Sequence, residues 1–255
     1  MIIDTSAIVL KSIEFSESSL IISLLSEKHG KIPVMARGAR RHKNKFGGLL
    51  QPGSILDVTY YYKNTRDIQN LSDAVQKKPT WRIHRQIEKM AIAMATLELC
   101  EQLCHEYEPM PELSVFLTNV LVWLHETNSN PGHLFPYIQF RLAQLAGIGI
   151  AWQLNKDHVA SVVNESEQER QFSCYLNVEN GYISDKADRG LSLGMTKSQV
   201  DYLRYIAEGK KAGLLAASFP AQEIRNLIHH FDTYFQFHLE GIKARKSDSI
   251  FEQIL

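Results

Sequence analysis

Between Lys28 and Leu56 the chain carries no acidic residue, while Lys28, Lys31, Arg37, Arg40, Arg41, Lys43 and Lys45 place seven cations in the same stretch. Cations crowded on one surface neutralise phosphates and release their condensed counterions, a chemistry that needs charge density and no reading of bases. In Arg37-Gly-Ala-Arg40-Arg41-His-Lys43-Asn-Lys45 a β-run gives way to a glycine-containing connection, so the expectation is a mobile basic loop able to follow a sugar-phosphate backbone. A solvated loop with no partner is the competing reading, and the acid-free length argues against it. Net charge over the 255 residues is zero, yet residues 1–79 hold 12 Lys and Arg against 7 Asp and Glu, and residues 80–255 hold 16 against 21. The two parts therefore carry +5 and −5.

Tyr60, Tyr61 and Tyr62 are consecutive on an expected strand, so Tyr60 and Tyr62 share one face and Tyr61 takes the other. A face of this kind stacks bases. Tyrosines are also ordinary strand formers with rings in a core, and both readings stand here, as they do for Phe46 beside the basic run. Cys100 and Cys104 lie one helical turn apart on an apolar stripe, which favours burial, and Cys174 has no cysteine near it in sequence. His229, His230 and His238 fall on one expected helix without an obvious third ligand for a metal. No HExxH, phosphate-binding loop or G-x-S-x-G elbow occurs, and Gly147-Ile-Gly149 lacks the third glycine of a dinucleotide fingerprint. No metal or cofactor is expected, and these absences weigh against nucleotide-driven chemistry. Two rivals remain: an RNA-directed barrel protein, and a metal-dependent nucleic-acid enzyme whose acids converge from distant segments.

The elements that must hold these residues begin with five short β-runs, Ala7–Ile13, Leu20–Leu25, Ile32–Arg37, Ile55–Tyr62 and Ile68–Ala74. Five strands without a long intervening helix point to a small closed barrel of the OB type. At Lys77-Lys78-Pro79 the pattern changes from period two to helical spacing, which marks the expected boundary between domains over 1–79 and 80–255. Ile83, Ile87, Met90, Met94, Leu97, Cys100, Cys104 and Tyr107 draw one stripe down a long helix that Pro109 and Pro111 end. Further helices are expected near Leu113–Leu124, Leu134–Ala146, after the capping box Thr196 to Gln199, and over Ile224–Leu239, with Gly209 and Gly213 between the last two. Val159–Val163, Phe172–Leu176 and Tyr182–Ile183 read as short extended pieces. The fold class is α+β: a five-stranded OB-fold barrel, then a mainly helical domain with a small extended insertion. Three cysteines are too few for a disulfide framework, so a reducing cytoplasm is expected. No signal-peptide order and no apolar run of membrane-crossing length is present.

The stretch T-S-A-I-V-L-K-S-I-E-F-S-E-S-S-L, followed by S-E-K-H-G-K-I-P-V-M-A-R-G-A-R-R and L-L-Q-P-G-S-I-L-D-V, resembles the RecO family of DNA repair proteins. The similarity continues through L-E-L-C-E-Q-L-C-H-E-Y-E-P-M-P-E-L, F-R-L-A-Q-L-A-G-I-G and the tail S-I-F-E-Q-I-L. The resemblance implies a non-enzymatic recombination mediator of the RecF pathway that binds single- and double-stranded DNA and anneals complementary strands. With RecR, such a protein loads RecA onto DNA coated by SSB, whose acidic C-terminal tail it recognises, in the cytoplasm and at the nucleoid during repair. The family's basic loop falls on Arg37, Arg40, Arg41, Lys43 and Lys45. Arg141 with Leu142 and Leu145 is the candidate seat for the SSB tail, since an acidic peptide ending in a carboxylate suits a cation beside an apolar pocket. Plain helix packing under a surface arginine is the alternative. Many family members carry a four-cysteine zinc knuckle where this chain runs from Ile150 to Ser184; Cys174 stands alone there, and this degenerate knuckle-like segment, around 150–186, is expected to hold without zinc.

Overall fold

Alternation of apolar and polar residues from the second residue onward makes β1 (Ile2–Phe15) unusually long, with Ile3, Thr5, Ala7 and Val9 turned inward. Its expected start at Ala7 is therefore too late. The length lets one strand pair on both sides: with β2 (Ser19–Ser26) from Ala7 to Phe15, and with β4 (Ile55–Tyr61) from Ile2 to Ile8. The register with β2 slips between Val9 and Lys11, where Leu10 is an extra residue that bends the strand. Val9 there bonds to the connection before β4, donating to the Ser54 carbonyl at 3.0 Å and accepting from Gly53 at 2.8 Å. β3 (Gly30–Ala36) continues antiparallel from β2, and β5 (Gln69–Lys78) pairs antiparallel with β4 and parallel with β3 through Val34↔Gln69 and Met35↔Asn70. The order β1-β2-β3-β5-β4 closes a barrel of the expected OB type. The computed structural model describes residues 1–128, 131–153, 172–208 and 218–247.

Behind the barrel a 3-10 turn at Ile83–Arg85 leads into α1 (Ile87–Leu103), and α2 (Pro111–Glu126) starts with proline at its first turn. The single long helix expected to run past Tyr107 stops at Leu103. Residues 104–110 instead lie along β3, where Tyr107 donates to the Lys31 carbonyl at 2.9 Å and Glu106 bridges to Lys31. Pairing with a strand edge outweighs the helical spacing. Close passage of this segment also explains Gly30, whose φ is +63° and whose hypothetical Cβ would fall 1.8 Å from the Glu108 carbonyl oxygen. The single apolar stripe is corrected too: Ile87 is exposed, whereas Ala91, Ile92, Ala93, Ala95, Leu97, Leu99 and Cys100 are all buried. Covered on several sides, α1 packs on β1 and α2, and Glu98 accepts from the Ser247 amide and hydroxyl at 3.3 Å.

The described residues 1–128 and 245–247 form one compact unit, and those within 131–244 form another. The change of pattern at Pro79 marks the passage from strands to helices, and the division by compactness comes after α2. In the second unit, α3 (Phe135–Leu145) packs on α5 (Ala221–His238), with Phe140 against Phe231 and Gln139 donating to the Ile228 carbonyl at 3.3 Å and to Asp232 at 2.7 Å. Thr196 and Gln199 do form the reciprocal capping box at the start of α4 (Lys197–Ala207). A four-stranded sheet is built from β6 (Ala151–Trp152), β7 (Cys174–Asn177), β8 (Tyr182–Ser184) and β9 (Ser192–Met195), in the order β6-β8-β7-β9. Two of the expected extended pieces correspond to β7 and β8; β9 was not foreseen, and Val159–Val163, Gly209, Gly213 and the whole S-I-F-E-Q-I-L tail lie outside the described residues. Cys100, Cys104 and Cys174 are all buried free thiols, and burial pushes those of Cys104 and Cys174 up to about 11. Among the described residues no group of three or more His, Cys, Asp and Glu is placed to hold a metal ion, and no helix is long and apolar enough to cross a membrane.

Candidate nucleic-acid interface

Residues 37–54 join β3 to β4, and where glycine and charge suggest a loop hanging free at the rim, three of their side chains are anchored in the barrel. Ala39, Phe46 and Leu50 reach into the barrel core, where Phe46 is 1% exposed. Turn bonds hold the backbone between these anchors: Arg40 donates to the Ser18 carbonyl at 2.9 Å, Arg41 to Gly38 at 3.1 Å, and the Phe46 amide to the Asn44 side chain at 2.9 Å. Phe46 is therefore a plug, and a stacking role for it is excluded. With three apolar residues pointing in, the charged residues point out, and Arg37, Arg40, Arg41, Lys43 and Lys45 are all exposed. Arg40 pairs with Glu14 at 2.7 Å and donates to the Ser16 carbonyl at 3.1 Å, which ties the loop to the β1–β2 turn. Lys45 donates to the Ser72 carbonyl on β5 and lies 5.1 Å from the centre of the Phe46 ring. Arg37, Arg41 and Lys43 enter no ion pair among the described residues.

Other expected site residues sit elsewhere. Lys31 is half-buried and donates from Nζ to the Glu101 carbonyl at 2.8 Å, placing its charge in the last turn of α1, where cations are favoured. It caps a helix through one of its three N–H donors. Tyr60 and Tyr62 do share a face, but it is the inner one. Tyr60 is fully buried, hydrogen-bonded to His29 Nδ1, and burial pushes its hydroxyl up to about 12. Tyr62 packs on the barrel core, stacked on His29 with centroids 5.0 Å apart and edge-on to Tyr107 at 6.2 Å. Tyr61 is the exposed member of the run. On α3, Leu142 is fully buried, whereas Arg141 and Leu145 are half-buried and Arg141 bonds to Gln144 at 2.7 Å, so the three do not line one open groove.

A surface that the sequence did not disclose lies on the outer wall of the barrel. Past the Leu10 bulge, Lys11, Ile13 and Phe15 turn outward, and their cross-strand neighbours on β2 are Ser23, Ile21 and Ser19. On β3 the row continues with Pro33 and Met35, and Arg37 follows two residues on. Ile13 is 48% and Phe15 46% exposed, and no acid stands in this grid. The signal was ambiguous because apolar residues at alternate positions ordinarily mark the core face; the one-residue slip at Leu10 exchanges the faces. Lys63 and Arg66, also unforeseen, are exposed on the β4–β5 connection, which the buried Gln69 fixes by bonds to the Lys63 amide and to the Lys63 and Arg66 carbonyls.

Two family models match the chain: Recombination protein O N terminal over residues 1–79 and Recombination protein O C terminal over residues 84–248. The protein is similar to the DNA repair protein RecO of Chlorobaculum parvum, 34% identical over 265 aligned positions that cover all of this chain and 99% of that one. It is also similar to the RecO of Chloroherpeton thalassium, 27% identical over the full length of both. Similarity to the RecO of Salinibacter ruber reaches 32% identity over 164 residues, 64% of this chain and 62% of that protein.

Proposed function

The chain belongs to the recombination protein O family, and so to DNA repair and recombination, and from that premise we propose that it is a DNA-binding and strand-annealing mediator whose contact with DNA is centred on the loop at 37–54. Exposed cations on a connection pinned into the barrel carry this reading. Arg37, Arg41 and Lys43 offer their charge outward from a backbone that needs no ordering on binding, which spares the entropy cost a floppy basic loop would meet. Beside them, Ile13, Phe15, Ile21 and Met35 make a flat apolar platform for unpaired bases, flanked by Lys11 and Arg37. Annealing requires that phosphate repulsion be neutralised while base edges stay free to pair, and stacking on an outer wall under a row of cations leaves the pairing edges uncovered. No covalent step is needed. By the family resemblance the protein partners are RecR and the SSB tail, with RecA acting downstream.

The test is a variant with Arg37, Arg40, Arg41, Lys43 and Lys45 all changed to alanine. If five cations engage single-strand phosphates, the unsubstituted protein loses affinity about a hundredfold between about 50 and 200 mM salt, with a slope near −3.5 on logarithmic axes. The variant should lose most of that slope and most annealing of complementary strands, with and without SSB. A folded variant with unchanged affinity and slope would reject the assignment.

A further inference from the structure

Residues 74–87 form a second stretch without an acid and carry Lys77, Lys78, Arg82 and Arg85 around a tryptophan. Lys77 is engaged by Asp57 at 3.6 Å and Glu27 at 3.7 Å. Lys78 ends β5, and beyond it the 3-10 turn at Ile83–Arg85 folds Arg82 and Arg85 back over the Trp81 indole, their guanidinium carbons 5.7 and 4.4 Å from the ring centre. His125 meets the same ring edge-on at 5.4 Å. The indole is nonetheless 48% exposed. A guanidinium laid on an aromatic ring keeps its N–H edge outward and its geometry fixed, which is the arrangement that suits a phosphate.

Neither Arg82 nor Arg85 enters an ion pair among the described residues. One turn further, Lys89 is buried and donates from Nζ to the Thr127 carbonyl at 2.5 Å. His125 accepts the Arg82 amide at Nδ1, 3.3 Å away. Burial first, and then the Arg82 charge, hold both Lys89 and His125 below their ordinary ranges, with Glu126 acting in the opposite direction on His125. Positive charge is thus in local excess beside an open aromatic surface. The cluster also neighbours the end of the loop at 37–54: burial holds His84, in the same 3-10 turn, below its ordinary range, and the Pro52 backbone acts on it in the opposite direction. From Lys45 to Pro52 the chain spans at most about 25 Å, which is about seven nucleotides at duplex spacing.

We propose that Trp81, Arg82 and Arg85 form a second nucleic-acid subsite, in which an unpaired base stacks on the indole and its phosphate takes the guanidinium edges, so that a strand held by the loop continues across the 81–85 turn. The inference rests on the reading of the loop given above. An aromatic plane with cations at its margin matches the base and phosphate of one nucleotide, whereas an acidic peptide with an apolar terminus wants a closed pocket, and Trp81 stands on open surface.

The experiment uses the full chain with Trp123→Phe and Trp152→Phe, which leaves Trp81 as the sole indole of the three present. Titration with oligothymidine of about 20 nucleotides, long enough to bridge both places at the spacing above, should quench its emission in step with binding followed by anisotropy. Changing Arg82 and Arg85 to alanine should lower affinity about tenfold and reduce the salt slope by about 1.4, the share of two phosphates. Trp81→Ala should cost about tenfold, and Trp81→Phe should restore most of it, since any aromatic face stacks bases. Strand binding at full strength with emission unmoved and with Arg82 and Arg85 dispensable would overturn the subsite while leaving the loop reading intact. Quenching by an acidic peptide and not by DNA would overturn it as well. Failure of the unsubstituted protein to bind any strand would instead remove the loop reading on which the subsite stands.

Discussion

The two outer walls of the barrel share one strand and differ in what it presents. Before the bulge at Leu10, β1 turns Asp4 and Ser6 outward beside Thr59 and Asp57 of β4, and those stand beside Asp73 and Val75 of β5. With Glu27 and Lys28 these residues line a recess of about 470 Å³. Thr59 donates to Asp4 at 2.5 Å and Ser6 to Asp57 at 2.7 Å, so the carboxylates are held as acceptors on that wall. After the bulge the same strand presents Lys11, Ile13 and Phe15, facing a row that ends in Arg37. One wall repels a polyanion, and on the function proposed above the other is the one that would receive it. A single extra residue thereby gives an electrically neutral chain a directional surface, which a count of net charge hides.

Three changes would break or sharpen that contrast. The largest effect is expected from Phe46→Ala, because a buried aromatic replaced by alanine costs about 3–5 kcal/mol. Urea unfolding should report that loss, and the loop cations, released from their plug, should bind DNA less well in the variant that remains folded; unaltered stability would mean that the loop is not pinned. Next, Ile13→Ser with Phe15→Ser should weaken single-strand binding about tenfold, in line with the stacking contribution of one base, while duplex affinity stays within about twofold. Equal losses on both forms would show that the platform does not select unpaired bases. Smallest is the neutralisation of Asp4, Asp57 and Asp73 to asparagine, which should alter DNA affinity by less than about threefold at physiological salt, where screening acts over about 8 Å. A gain above tenfold would mean that the acidic wall competes with the cationic one for the same strand.

Much of this is legible in the sequence. Five strands and their turns were visible because half-buried strands alternate and glycine marks the corners, and the capping box at Thr196 declared a helix start through side chains that bond within four residues. What escaped depends on partners distant in sequence. Tyr60 and Tyr62 were rightly given one face, but which face is inside was decided by the register with β1. The helical spacing through Cys104 and Tyr107 was real and still lost, because the edge of β3 offered Tyr107 a backbone partner at Lys31. Arg37 to Lys45 announced themselves by charge, whereas the anchoring of their loop by Ala39, Phe46 and Leu50 required knowing where the barrel opens. Ile13 and Phe15 were invisible as a surface because a bulge of one residue leaves no mark in composition.

The return of residues 245–247 to the first compact unit has a practical corollary. Arg245 and Ser247 are buried there, and Ser247 covers Glu98 on α1. The first unit is therefore discontinuous in covalent order, and a fragment cut after α2 would leave α1 uncovered along that side. A fragment meant to keep the unit whole must therefore carry residues 245–247 as well as 1–128.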